Sequence, residues 1–419
     1  MTHTASRRAR LAWCFYDWAN SAFPTVIVTF VFSAYFAQSV AESPTVGTTQ
    51  WGQAVAVSAL LIGLASPVFG AIADATGRRK RWLFAFSAAC AVLTALLWFV
   101  RPGPASVPLA LVLFALANVC FEIGTVFYNS LLPTLVPHER IGRLSGLGWA
   151  LGYAGGLACL GVVLLLIQAD PPPFGLDKAA AEPVRAIGPL VALWFVAFAA
   201  PIFLFTPDVP ATRIGLGAAV RQGLGTLAGT IRRARAYRNI GLFLLAQLLY
   251  IDGLDTLFAF GGIYAAGTFG FSTEEIVRFG IALNVAAGLG AFGFAWADDL
   301  IGAKRTVLIA LAGVIAFGIP LLLAETKAEF WTLALPLGIF FGPAQAGSRA
   351  LMGRLAPPAL RAEMFGLFAF SGRVTSFLGP AVLAFATDAF SSQRAGMATV
   401  LVFLVAGFVL LLRVREAPS

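Results

Sequence analysis

The chain has 419 residues, 59% of them hydrophobic and 12% charged, with a formal net charge of +9. Soluble domains carry about 25% charged and about 45–50% apolar residues, so one aqueous core cannot hide this much apolar surface and lipid is the expected solvent. The positive balance then reports membrane topology, and nucleic-acid binding is not expected.

A spanning helix needs about 20 predominantly apolar residues. Runs of that kind, punctuated by Gly, Pro and charge, predict twelve spans and an all-α membrane protein. The first six lie near residues 11–40, 51–73, 82–100, 106–133, 144–168 and 187–206. The second six lie near 239–268, 275–297, 304–324, 329–353, 363–388 and 395–412. Barrel strands alternate in character over about 10 residues; these runs are apolar throughout, which excludes that architecture.

The first run follows Arg7, Arg8 and Arg10 and superficially resembles a signal peptide. It is too long for one and carries Asp17 and Asn20, so a retained first span is expected. With the N-terminus inside, 21 of the 29 Lys and Arg fall on the cytoplasmic side. The opposite side keeps Arg101, Lys178, Arg185, Arg278, Lys327 and Arg394, and only Arg349 and Arg373 lie within spans. This asymmetry predicts a multi-pass protein of the cytoplasmic membrane with both termini cytoplasmic. Cys14, Cys90, Cys120 and Cys159 sit in apolar runs without a Cys-x-x-Cys pair, and the histidines are His3 and His138 alone. No metal site and no cofactor is expected.

Residues 207–238 separate a six-span unit at 1–206 from a second at 239–419. In this linker Ile214, Leu216, Val220, Leu224, Leu227 and Ile231 interleave with Arg213, Arg221, Arg232, Arg233 and Arg235. The pattern predicts a basic amphipathic helix, either a tether on the anionic inner leaflet or a docking element.

The two halves echo one another. Gly70-Ala-Ile-Ala-Asp74-Ala-Thr-Gly77-Arg78-Arg79-Lys80 lies between the second and third runs, and Asp299-Leu-Ile-Gly302-Ala-Lys304-Arg305 occupies the same place 225 residues later. Pro137 and Gly146 match Pro357 and Gly366 at an offset of 220. A carboxylate at a span's end can meet a helix N-terminus and a nearby arginine, forming a breakable latch. Gly70 permits close helix contact and Gly77 supplies the turn. At these residues the chain resembles the major facilitator superfamily, whose loop between spans 2 and 3 carries Gly-x3-Asp-[Arg/Lys]-x-Gly-[Arg/Lys]2. It departs from that pattern at Ala75, and in the second copy at Ala295, where the first Gly would stand. The firmer latch is therefore expected on the N-terminal half.

Tyr16-Asp17-Trp18-Ala19-Asn20-Ser21-Ala22-Phe23 and Phe127-Tyr128-Asn129-Ser130-Leu131-Leu132-Pro133 narrow the resemblance. Over essentially the whole chain it is similar to the vacuolar amino-acid effluxer-like branch, once labelled the unknown major facilitator family. The resemblance implies two pseudo-symmetric six-helix bundles, a monomer in membrane lipid, and alternating-access transport of a small polar solute such as an amino acid.

Ionisable groups in the bilayer core cost about 2.5–3.5 kcal/mol each on insertion scales, and here they are few. Asp17, Glu122, Asp252 with Asp255, and Arg349 fall in spans 1, 4, 7 and 10; Arg373, in span 11, is the exception. In the superfamily those four spans line the cavity. Asn118, Glu122, Thr125 and Asn129 form one helical stripe, Gln345 and Arg349 share a face, and Asn20 follows Asp17 near the span's end. These residues predict one water-filled cavity. Arg349 would hold a carboxylate, Glu122 or Asp252 an ammonium group or the coupling proton, and Asn129 and Gln345 polar ends. A symporter or antiporter coupled to protons is one reading; private structural ion pairs for Arg349 and Arg373 are the other. Two further classes stay open. Asp252-x2-Asp255 and Asp298-Asp299 suit a metal-dependent membrane enzyme, although no nucleophile has a partnered base, and a receptor with a transporter-like body would share every feature above.

Overall fold

The computed structural model of the protein describes residues 5–208, 212, 214–232 and 236–416, and every regular element among them is helical. Helix α1 (Arg7–Val40) starts at Ser6, whose hydroxyl accepts the Ala9 N–H at 3.2 Å, a side-chain cap for an orphan donor. Inside it, Phe23–Phe30 is wound as a π-helix beside Pro24, which has no N–H for the regular ladder. Helix α2 (Pro44–Thr76) is capped by Ser43 and ends at Gly77, whose φ of 69° suits glycine. Helices α3 (Arg79–Phe99), α4 (Pro104–Leu135), α5 (His138–Gln168) and α6 (Glu182–Phe205) complete the first half.

Helix α7 (Leu216–Arg232) lies between the halves. It does not stand apart as a tether. A Cβ at Gly223 would lie 2.9 Å from the Ile72 nitrogen of α2, and Ala219, Leu227 and Thr230 on that face are buried. Arg221, Leu224 and Arg232 stay exposed, whereas Arg213, Arg233 and Arg235 lie outside the described residues.

The second half contains α8 (Arg238–Phe269), α9 (Thr273–Ile301), α10 (Ala303–Leu323), α11 (Lys327–Ile339), α12 (Phe341–Leu355), α13 (Pro358–Ala389) and α14 (Gln393–Leu412). Reciprocal capping boxes, Ser272 with Glu275 and Thr326 with Glu329, start α9 and α11. Among the described residues eleven helices are long and apolar enough to cross a membrane. The run near 329–353 differs from its expected form, because it breaks at Phe340 into helices of 13 and 15 residues. At 1.5 Å per residue each is roughly 20 Å long, short of a hydrocarbon core of about 30 Å. Pro336 inside α11 and Gly342-Pro343 at the start of α12 weaken the ladder there. Helix α13 also opens into turns at 374–377.

Large apolar side chains such as Leu64, Leu165, Leu193, Leu300 and Phe385 point outward and stay exposed, as lipid-facing positions should.

Candidate functional site

A central cavity of about 620 Å³ is walled by α1, α2, α4, α5, α8, α9, α12 and α13. Eight residues singled out in the sequence line it: Asp17, Asn20, Glu122, Asn129, Asp255, Gln345, Arg349 and Arg373. Asp252 does not. It is buried on α8, and its Oδ2 accepts the Gly379 N–H at 2.9 Å.

Arg349 closes the end of the cavity nearest the linker. It comes from α12 yet spends its donors on the first half of the chain. Its Nη1 donates to Asp17 Oδ2 at 2.9 Å and to Asn129 Oδ1 at 3.4 Å. Its Nε and Nη2 donate to the Ser145 hydroxyl and carbonyl at 2.9 and 2.7 Å. The guanidinium carbon lies 4.8 Å from the Trp13 ring centroid, and Trp13 stacks on Tyr128 at 4.5 Å. Such a cation over desolvated aromatic faces gains up to about 2 kcal/mol. Arg349 is a brace between halves in this conformation, with four of its five N–H donors engaged by protein.

Arg373 is placed otherwise. Its Nη2 donates to Glu122 of α4, and its Nη1 lies 3.9 Å from Asp255 Oδ2 of α8. Its side chain remains 37% exposed, towards the cavity it lines. Nearby, Tyr153 Oη donates to Gln345 Oε1 at 2.8 Å, and Asn118 Nδ2 donates to Ser58 Oγ at 2.8 Å. With its carboxylates ionised, the trio Glu122, Asp255 and Arg373 carries one net negative charge facing the cavity.

The repeated loops join the halves beyond Arg349. Asp74 Oδ1 accepts from Arg79 Nη2 at 2.6 Å and Nε at 3.2 Å, while Oδ2 accepts the Glu363 N–H at the start of α13, 2.8 Å away. Asp299 repeats this on the other side: Oδ1 accepts the Arg143 N–H near the start of α5 at 2.9 Å, and Oδ2 lies 3.0 Å from Arg143 Nε. Glu363 and Arg143 stand 220 residues apart, the offset of the sequence repeat. Lys80 donates to the carbonyls of Phe203 and Thr206, and Lys304 to that of Leu412. Gly302 (φ 92°) makes the second turn, Arg78 is half-exposed and Arg305 exposed.

The second copy has additional ties. Asp298 pairs with Arg354 at 2.7 Å, and Arg354 pairs with Glu416 at 2.9 Å. It also recovers close packing without a glycine at 295, because Ala295 sits where a Cβ on Gly146 would fall, 2.6 Å from its own Cβ. In the first copy a Cβ at Gly70 would lie 2.3 Å from the Ala362 carbonyl oxygen. Gly70→Leu should therefore push α2 and α13 apart at the linker end. Spin labels on those two ends, in a background without the native cysteines, should move apart by several ångström; an unchanged distance distribution would show that this contact does not hold the end closed.

The family model described as vacuole effluxer Atg22-like matches residues 52–418. The chain belongs to that family. An uncharacterized MFS-type transporter, YxiO, of Bacillus subtilis strain 168 is 29% identical over 97% of this chain and 95% of its own length. Autophagy-related protein 22 of Cryptococcus neoformans is 27% identical over 65% of this chain, which matches only 52% of that longer relative. The solved structure of a proton:xylose symporter of the major facilitator superfamily aligns with a TM-score of 0.71 at 14% identity, covering 98% of this chain and 95% of that one. This effluxer-like chain thus has the major facilitator membrane fold and is a transporter rather than an enzyme.

Both family-like segments meet at Arg349: Asp17 comes from the first and Asn129 from the second. Ser145 escaped notice because a lone serine in a glycine-rich helix carries no signal of its own. Asn284, on α9, was also missed; it is a single amide in an apolar run.

Proposed function

We propose that this protein moves a small zwitterionic solute, of amino-acid type, by alternating access between two six-span units, 1–206 and 239–419, with α11 and α12 together forming the tenth of twelve spans. The observation that carries this reading is Arg373, held between Glu122 of one half and Asp255 of the other with a third of its side chain open to the cavity. A carboxylate suits a guanidinium fork, and an ammonium group suits the Asp255 carboxylate beside it. Asn20, Asn129 and Gln345 would orient polar ends of the solute. The Lys and Arg bias supports placing α7 and both termini in the cytoplasm of a cell whose inner membrane holds the protein as a monomer. In that frame the Gly70–Lys80 and Asp299–Arg305 loops latch the cytoplasmic side shut, and Arg349 with Asp17 forms the floor above them.

The single negative charge left by Glu122, Asp255 and Arg373 is unfavourable in lipid, which supports a coupling role for Glu122. Glu122→Gln should then abolish pH-driven uptake while leaving solute exchange intact. Retained pH-driven uptake in that variant would remove Glu122 from the proton role. For the substrate class, thermal unfolding of the purified protein against amino acids, polyamines, sugars and nucleosides should show stabilisation by amino acids. Stabilisation by sugars alone would replace the zwitterion reading.

A further inference from the structure

Helix α13 breaks for a reason written in its sequence. Pro380 has no N–H to offer the Ser376 carbonyl, and the Leu378 N–H bonds Thr375 O at 2.7 Å in place of a residue four back. The Gly379 N–H is diverted altogether, to Asp252 Oδ2 of α8 at 2.9 Å. That accounts for one oxygen of Asp252. Among the described residues the other, Oδ1, has no hydrogen-bond partner, and neither has Thr256 Oγ1. Asp252 is 3% and Thr256 1% exposed, so water does not satisfy these atoms from bulk. Buried polar groups are paired in the great majority of cases, and a buried carboxylate lacking a cation is costly in a membrane.

The orphaned atoms face one spot. Residues 252 and 256 lie one turn apart on the same face of α8. A Cβ at Gly379 would fall 2.2 Å from Thr256 Oγ1, 3.0 Å from Asp252 Oδ1 and 3.1 Å from the Asp252 carbonyl oxygen. Any side chain at 379 would press on these three oxygens. Arg373, six residues before Gly379, is committed to Glu122 and Asp255, so it does not neutralise Asp252.

We propose that Asp252 Oδ1, Thr256 Oγ1 and the Asp252 carbonyl oxygen form a binding site for one Na⁺ ion at the break in α13. An all-oxygen donor set selects a hard cation. A single carboxylate, half of it already engaged by Gly379, balances one positive charge; a divalent ion would leave an excess charge in lipid. Broken helices that present orphaned oxygens are a recurrent setting for transported ions. Thr256 also borders the central cavity, the side from which the ion would enter. Because the site fixes the second segment of α13 against α8, its occupancy positions Arg373 at the end of the first segment.

The inference rests on the transporter reading but is tested without any solute. Thermal unfolding of the purified full-length protein is followed by tryptophan fluorescence as Na⁺ replaces choline or K⁺ at constant chloride and fixed pH. Midpoint temperature should rise and saturate with Na⁺, by ligand linkage, and not with K⁺. Thr256→Val should weaken the apparent Na⁺ affinity by about tenfold, the scale of one lost ligand of 1.4 kcal/mol, and Gly379→Ala should abolish the response. Wild-type protein that responds equally to K⁺, or to pH alone, overturns the site, as does an unaltered Na⁺ response in Thr256→Val. Amino-acid stabilisation that persists without any Na⁺ effect would sink the ion site while sparing the proposed solute.

Discussion

Arg349→Met is expected to destabilise the protein more than any other single change in the cavity and to stop transport. It strands the Asp17 carboxylate in a buried pocket and leaves Asn129 Oδ1 and the Ser145 carbonyl without their donor. Breaking a buried ion pair from one side costs about 3–5 kcal/mol, and the stacked rings of Trp13 and Tyr128 lose their cation as well. Asp17→Asn, which leaves the cation unpaired instead, should fall in the same range. Combining the two should restore part of the stability, since neither charge is then left alone, a coupling visible only in the double variant. Transport should not return, because the brace between α12 and the first half is gone. Tryptophan fluorescence during thermal unfolding checks the first expectation and solute counterflow the second. Strictly additive losses would mean that Arg349 and Asp17 do not act as a pair.

The second large effect falls on affinity rather than stability. Arg373→Ala should weaken solute binding by roughly 30-fold to several-thousand-fold, the scale of about 2–5 kcal/mol for truncating one partner of a hydrogen-bonded charge pair. Its side chain is partly open to the cavity, so the fold should survive with a smaller shift in unfolding temperature than Arg349→Met gives. Arg373→Lys keeps the charge but loses the two-pronged fork, and should recover only a fraction of the affinity. Titration of tryptophan fluorescence with the stabilising solute separates the cases. Wild-type affinity in Arg373→Lys would show that charge alone matters and that no carboxylate is gripped in two places.

Much of the cavity was legible because lipid makes polar residues conspicuous. Asp17, Glu122, Asn129 and Arg349 each interrupt an apolar run, and helical spacing alone puts them on inward faces. The contacts of the repeated loops were legible as chemistry, a carboxylate near an arginine and a helix start; which start was not. Only the fold brings Asp74 to residue 363 and Asp299 to residue 143. Asp252 leaves the cavity for a geometric reason: it stands three residues from Asp255, and the roughly 60° between them turns one towards the cavity and the other into α13. The breaks at Phe340 and 374–377 were hidden because proline and glycine within a long apolar run are tolerated in membrane helices. The partner of Arg349, Ser145, is set by packing between halves far apart in sequence.

The most direct test of the account is counterflow in proteoliposomes. Vesicles preloaded with an unlabelled amino-acid mixture and diluted into labelled amino acids should show a transient accumulation of label that vanishes in Arg373→Ala. Label entering wild-type vesicles no faster than protein-free ones would contradict it.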